Sequence, residues 1–183
     1  WSAQSVVSDG PYLLYNHVAF RLEGEQPALV AARLAMCYLL NPQYQEALDS
    51  IRGSRYRLAD PALLQERAQL EAEAMSGLEL HEEGLALIAN DISPEAKLLR
   101  GDIYWRSERW AENAAAIDDY LGDRWDTTDP FDDQTRALVM RAAVSLALAK
   151  DEAGTQWLRD RYLAKMGEAV DAAAFDVVTY QVD

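Results

Sequence analysis

With 183 residues, half of them hydrophobic, the chain is long enough to bury a substantial core, either as one domain or as a short stacked array. It carries 17 basic against 31 acidic residues, a formal charge of −14, which repels phosphate backbones and anionic lipid surfaces and so excludes nucleic acid as a partner. Alanine and leucine abound while glycine, proline and β-branched residues are sparse, a balance that excludes a sandwich or barrel and predicts an all-α fold. The single cysteine, Cys37, excludes an internal disulfide, and no Cys/His cluster points to structural zinc. No apolar run is long enough to span a bilayer, and no charged-then-apolar start reads as a signal peptide. The chain opens on Trp1 rather than Met, which predicts a processed product or a piece of a longer protein and leaves cytoplasmic and periplasmic placement both open.

Residues 1–10 lack periodicity and end in the turn signal Ser-Asp-Gly-Pro, so they read as a tail or linker. Tyr12, Leu13, Tyr15, Val18, Ala19 and Leu22 predict a short amphipathic capping helix over about 11–23. A strongly apolar helix from Pro27 to about Leu40 follows, interrupted by Asn41-Pro42, and a second runs from Tyr44 to about Arg52. Asp60-Pro61 and Ser93-Pro94 each combine a side-chain acceptor at a helix cap with proline in the first turn, where its missing amide costs nothing. They open helix pairs over about 61–90 and 94–122, with Gly122 as terminator. After a polar, Asp-rich loop, in which Asp129-Pro130 is the expected cap, a fourth pair occupies about 131–166, turning at Lys150-Asp151. Gly167 breaks it, and a last capping helix is expected over about 168–180.

Three runs in these pairs share one pattern. In Tyr44-Gln-Glu-Ala47, His81-Glu-Glu-Gly84 and Trp110-Ala-Glu-Asn113, a ring is followed two residues later by glutamate and then by a smaller residue. Tyr38, Met75 and Tyr104 stand six residues before each ring, and the small residues Ala35, Ala72 and Gly101 stand nine before. The rings are 37 and 29 residues apart, spacings in the range of helical solenoids. The physical reading is packing: small residues let paired helices approach, and Tyr38, Tyr44, His81, Tyr104 and Trp110 go to the core.

These residues resemble the tetratricopeptide repeat, over roughly Pro27 to Met166. Tyr38 through Ala47 matches best and Gly101 through Asn113 matches over its second half. The leucine that precedes the small residue in that family is present only as Leu34; Glu71 and Arg100 stand in its place in the next two units, and the repeat of about 34 residues is not met. The resemblance implies a right-handed α-solenoid of about four antiparallel helix hairpins with capping helices at both ends, forming one domain over 11–183. It also implies a concave surface lined by the first helix of each hairpin. Carried onto this chain, the second hairpin offers Glu66, Gln69, Glu73 and Ser76, and the third offers Glu95, Leu98, Asp102, Trp105 and Arg106. That is an acidic groove with one tryptophan, suited to a basic peptide carrying an apolar side chain to cover Trp105. The corresponding apolar positions Leu29, Ala32, Met36 and Leu39, and Met140, Val144 and Leu148, are expected to be buried by the caps.

Residues that bear chemistry elsewhere read as structural. The loop acids Asp123, Asp126, Asp129, Asp132 and Asp133 lack the glycine-centred spacing and closing glutamate of a calcium loop. Asp118 and Asp119 are adjacent on a helix, about 100° apart, and cannot flank one bond as paired glycosidase acids do. His17 and His81 have no carboxylate at ligand spacing, and Cys37 is read as a buried, inert thiol. With no phosphate loop, no nucleophile arrangement and no cofactor motif, the expectation is a non-enzymatic scaffold that binds a peptide or helix of a partner protein in its acidic groove. The competing expectation is a helical accessory domain packed permanently against catalytic or membrane parts of a longer chain.

Overall fold

The structure of the chain is a computed structural model that describes residues 26–54, 60–127, 131–167 and 170–180, with residues 26, 170 and 171 described by their backbone alone. The expected tail over 1–10, the N-terminal cap over 11–23 with its His17, and the Asp129-Pro130 cap lie outside the described residues. Among those described, every regular element is helical. The α-helices are α1 (Gln26–Leu39), α2 (Tyr44–Gly53), α3 (Pro61–Gly77), α4 (His81–Leu87), α5 (Pro94–Arg106), α6 (Trp110–Leu121), α7 (Asp133–Ala149), α8 (Glu152–Tyr162) and α9 (Val170–Thr179), with 3-10 turns at Gly122–Asp126 and Leu163–Lys165.

Tyr44, His81 and Trp110 are each the first residue of their helix. The cap chemistry is mixed. Ser93 Oγ accepts from the Ala96 amide at 3.3 Å, but Asp60 makes no side-chain cap bond, so Pro61, with its fixed φ, begins α3 without one. Helix α7 starts at Asp133 and is capped by Asp132, whose Oδ1 accepts from the Thr135 amide at 2.7 Å. Gly122 ends α6 at φ +53°, ψ −130°, a conformation that glycine alone adopts without strain. After Tyr162 the chain tightens into the 3-10 turn instead of continuing α-helix to Met166.

The chain divides into two compact units, Trp1–Asp91 and Ile92–Asp183, each described by itself. In the first, α1 packs on α2, both pack on α3, and α3 packs on α4. Its core gathers Ala32, Ala35, Tyr38, Ala47, Leu48, Ile51, Leu70 and Ala74. In the second, α5, α6, α7 and α8 pack each on the next, and α9 lies against α7 and α8, where Phe175 is fully buried. Leu121, Val139, Leu158, Tyr162 and Met166 form the centre of that core.

The register expected from the sequence places its small residues correctly and its rings only in part. Ala35, Ala72 and Gly101 are all buried. Of the five rings assigned to the core only Tyr38 is fully so; Tyr44, His81, Tyr104 and Trp110 are half-buried. Tyr44, His81 and Trp110 are each the first helical residue after a turn, at a hairpin's edge, where a ring keeps one side open. Tyr44 uses its other side against Gly77 of α3, where a Cβ would run into the ring.

One further reading is corrected. Cys37 is exposed, not buried. The buried arc of α1 is Ala28, Ala31, Ala32, Ala35 and Tyr38, and Cys37, two residues past Ala35, lies about 200° further round the helix. Conversely Arg67, which sequence reasoning passed over, is only 6 % exposed. Its guanidinium donates to the carbonyls of Ala28 (2.7 Å), Ile51 (2.6 Å) and Ser54 (3.2 Å), so a cation on α3 gathers the start of α1 and the carbonyl end of α2.

Candidate functional site

In the first unit Glu66, Gln69 and Glu73 follow one another along one stripe of α3, at helical spacings of three and four. All three are half-buried. Glu66 forms an ion pair with Arg33 of α1. Gln69 Nε2 donates to Asp91 Oδ2 at 2.7 Å and Gln65 Nε2 to Asp91 Oδ1 at 2.9 Å, so both amides hold the segment that follows α4 against α3. Ser76 is removed from the surface: it is 2 % exposed, and its Oγ shares a hydrogen bond of 3.1 Å with Nδ1 of His81, the first residue of α4.

Arg33 sits in a second stripe. Leu29, Arg33, Met36 and Leu40 recur at four, three and four residues, and Leu29, Met36 and Leu40 are 38, 39 and 79 % exposed. Leu29 and Met36 were expected to lie under a cap; instead the alanines at 28, 31, 32 and 35 fill the buried arc and turn these larger side chains outward. Leu148 of the second unit is likewise 51 % exposed. The Arg33–Glu66 pair joins the two stripes, so the apolar residues of α1 and the acidic residues of α3 share one face. Cys37 lies beside it on α1.

In the second unit Asp102 and Trp105 are both engaged. Arg141 of α7 donates from Nη1 to Asp102 Oδ1 at 2.5 Å and from Nη2 to the Gly101 carbonyl at 2.9 Å. Its guanidinium carbon lies 5.0 Å from the centre of the Trp105 ring, and Trp110 meets the same ring edge-on with centroids 5.2 Å apart. The face of Trp105 expected to receive a partner is thus covered by a cation of the same unit. Arg106 and Glu95 are exposed and Leu98 is half-buried. Beside them Arg109 stacks on Tyr104 at 4.7 Å and bonds Glu112 at 3.0 Å; the glutamate's own backbone amide and then Arg109 hold its carboxyl below the usual range.

The acids of the loop do structural work. The Thr135 side chain and amide hold the Asp132 carboxyl below its ordinary range, Asp133 pairs with Arg136, and Asp123 and Asp126 are exposed. Among the described residues no three His, Cys, Asp or Glu side chains gather as metal ligands would, and no helix is long and apolar enough to cross a membrane. The residues that sequence reasoning missed are buried or paired polar groups: Arg67, the Asn113–Ser145 pair, Arg141 and Arg161. Only Arg161 left a local signal, the Trp157-to-Arg161 spacing of four that stacks two side chains on one helix face.

The chain matches no family model, no curated protein and no solved structure.

Proposed function

We propose that the chain is a protein-interaction scaffold in which hairpins stack, within each unit, as in a right-handed tetratricopeptide-like solenoid, and that the face shared by α1 and α3 takes an amphipathic segment of a partner protein. The observation that carries this reading is the Arg33–Glu66 pair, which sets the exposed Leu29, Met36 and Leu40 beside Glu66, Gln69 and Glu73. Because Arg33 already neutralises Glu66, charge supplies less of the affinity than an acidic groove would, and apolar cover of Leu29 and Met36 supplies more. The acidic side chains then bias the partner toward basic residues along one edge. Asp102 and Trp105 belong to the other unit, where Arg141 engages both, and this reading does not use them.

The sole cysteine provides the test. An environment-sensitive dye on Cys37, exposed beside the face, is titrated with an amphipathic peptide helix of leucine and lysine. The expected result is a saturable signal that Leu29→Glu with Met36→Glu abolishes and that Glu73→Lys weakens by a smaller factor. Equal binding by the Leu29→Glu, Met36→Glu variant would sink the reading.

A further inference from the structure

Helix α9 turns its two sides to different surroundings. Phe175 and Thr179 are fully buried and Ala172 is half-buried, forming the inner side that packs against α7 and α8. On the opposite side stand Ala173, Ala174 and Val177, with Tyr180 just past the helix end, at helical spacings of three and four. All four are exposed, Val177 by 76 % and Tyr180 by 64 %. The charged side chain beside this stripe, Asp176, is held by Arg159 of α8. The same guanidinium donates to Thr179 Oγ1 at 2.9 Å and lies 6.0 Å from the centre of the Tyr180 ring. In a chain of which 26 % of residues are charged, a helix that ends a stack against water is expected to carry a polar outer face. The described outer face of α9 carries only apolar side chains.

The order of sizes along the stripe says what fits it. Two alanines stand at one end, a tyrosine at the other, and Val177 midway between them. A second α9, running antiparallel about a two-fold axis at Val177, brings each Tyr180 ring over the two alanines of the other copy. The small residues let the helices approach and the ring fills the space they leave. A parallel pair would set ring on ring and leave the alanines facing a gap. Because Arg159 already neutralises Asp176, the axis brings no two uncompensated carboxylates together. A stripe without charge offers nothing for an acidic or basic partner to select, so shape decides, and the shape is complementary to itself.

We propose that α9 docks a second copy of this chain through an antiparallel α9–α9 pair centred on Val177. The same patch serves both copies, so the contact closes as a two-fold dimer. With 10 residues, α9 is about 15 Å long, and a pair of such helices buries less than the roughly 800 Å² per partner of a stable interface. The association is therefore transient, with a Kd on the order of 100 μM. Each chain carries a formal charge of −14, and the two fields repel; salt screens that repulsion and so tightens the dimer. This surface lies in the second unit and is separate from the α1–α3 face, so each stands or falls independently.

The test is sedimentation of the whole chain under reducing conditions, from about 10 μM to about 1 mM. The expected result is a reversible approach to the mass of two 20.5 kDa chains, tightening several-fold between about 20 and about 500 mM salt. Val177→Glu, at an exposed position, should weaken association at least about tenfold by setting two carboxylates against each other at the axis. A second measurement fixes the direction of the pair. In a Cys37→Ser background, Val177→Cys should give a disulfide-linked dimer on oxidation and Ala173→Cys should not. Antiparallel packing separates the two 173 positions by about 12 Å along the helices, beyond the roughly 7 Å between α-carbons that a disulfide spans. A monomer at 1 mM, or association that salt weakens, would overturn the proposal. So would association that Val177→Glu leaves unchanged, which would place the contact on another face, and equal bridging by both cysteine variants, which would exclude the antiparallel pair.

Discussion

The hairpins α3–α4 and α5–α6 place the same two register positions against each other and join them by different chemistry. In the first unit Ala72 meets Gly84, and a Cβ on Gly84 would stand 2.9 Å from the Ala72 carbonyl oxygen. In the second the corresponding residues are Gly101 and Asn113, and the buried Asn113 Nδ2 donates to the Gly101 carbonyl at 2.6 Å. One hairpin closes by removing a side chain from the second helix. The other fills the space with an amide and removes the side chain from the first helix. The lesson is that the register conserves a helix-to-helix carbonyl contact rather than a residue type.

Arg67 in the first unit and Asn113 in the second are buried polar side chains that bind helices to backbone carbonyls, and they differ in redundancy. Arg67 supplies the short bond to the Ile51 carbonyl and bonds to Ala28 and Ser54 as well. Arg67→Met should therefore give the largest loss, about 3 kcal/mol in urea unfolding, because charged donors are withdrawn from carbonyls at the end of α2. A loss under about 1 kcal/mol would show that those carbonyls find other donors. Asn113 belongs to a shared network. Ser145 Oγ donates to Asn113 Oδ1 at 2.8 Å or to the Arg141 carbonyl at 2.9 Å, and Gly101 O also accepts from Arg141. Asn113→Leu, close in shape, should cost less than Arg67→Met, about 2 kcal/mol, because both of its partners keep an alternative. In an Arg141→Ala background the Gly101 carbonyl loses its alternative donor while Ser145 keeps the backbone carbonyl at 141, so the same substitution should cost more; equal costs in the two backgrounds would mean that the network is not shared.

How much of this could be read from the sequence depends on range. The starts of α2, α4 and α6 at Tyr44, His81 and Trp110 were legible because a turn, a ring and an acidic first turn are local signals. The cap of α7 at Asp132 was not, since several acids of that loop precede the apolar periodicity and only the folded chain brings Asp132 to the Thr135 amide. Cys37 was misplaced for a related reason: on a helix with so many alanines hydrophobicity no longer marks the inner arc, which close contact with α2 and α3 selects instead. The candidate stripe of Glu66, Gln69 and Glu73 was legible as a stripe, but the cation that neutralises Glu66 lies 33 residues away on α1. Trp105 was legible as a prominent ring and its cover was not, because Arg141 reaches it from α7.

The sharpest test of the opening comparison exchanges glycine for alanine on its two sides. At Gly84 the gain of about 1 kcal/mol in helix propensity is opposed by a backbone oxygen that cannot move without shifting α3. The net expectation for Gly84→Ala is a loss of about 1 kcal/mol in unfolding free energy.

At Gly101 the sequence suggests the same requirement for a small residue, and the structure does not impose it. A Cβ there would meet Asn113 Nδ2 at 3.7 Å and Ala116 Cβ and Ile117 Cγ1 at 3.9 Å, all ordinary contacts. The bond that defines this joint uses the Gly101 carbonyl, which a methyl group on the α-carbon leaves in place. Gly101→Ala should therefore keep the Asn113 and Arg141 bonds while the unfolded chain loses conformational freedom, raising stability by about 0.5–1 kcal/mol. The effect is small, but its sign separates two accounts of the repeat. A rise means that helix spacing at this position is set by the amide-to-carbonyl bond, with glycine incidental. A fall would mean that the helices are already at closest approach, so that the second unit closes by the same steric rule as the first.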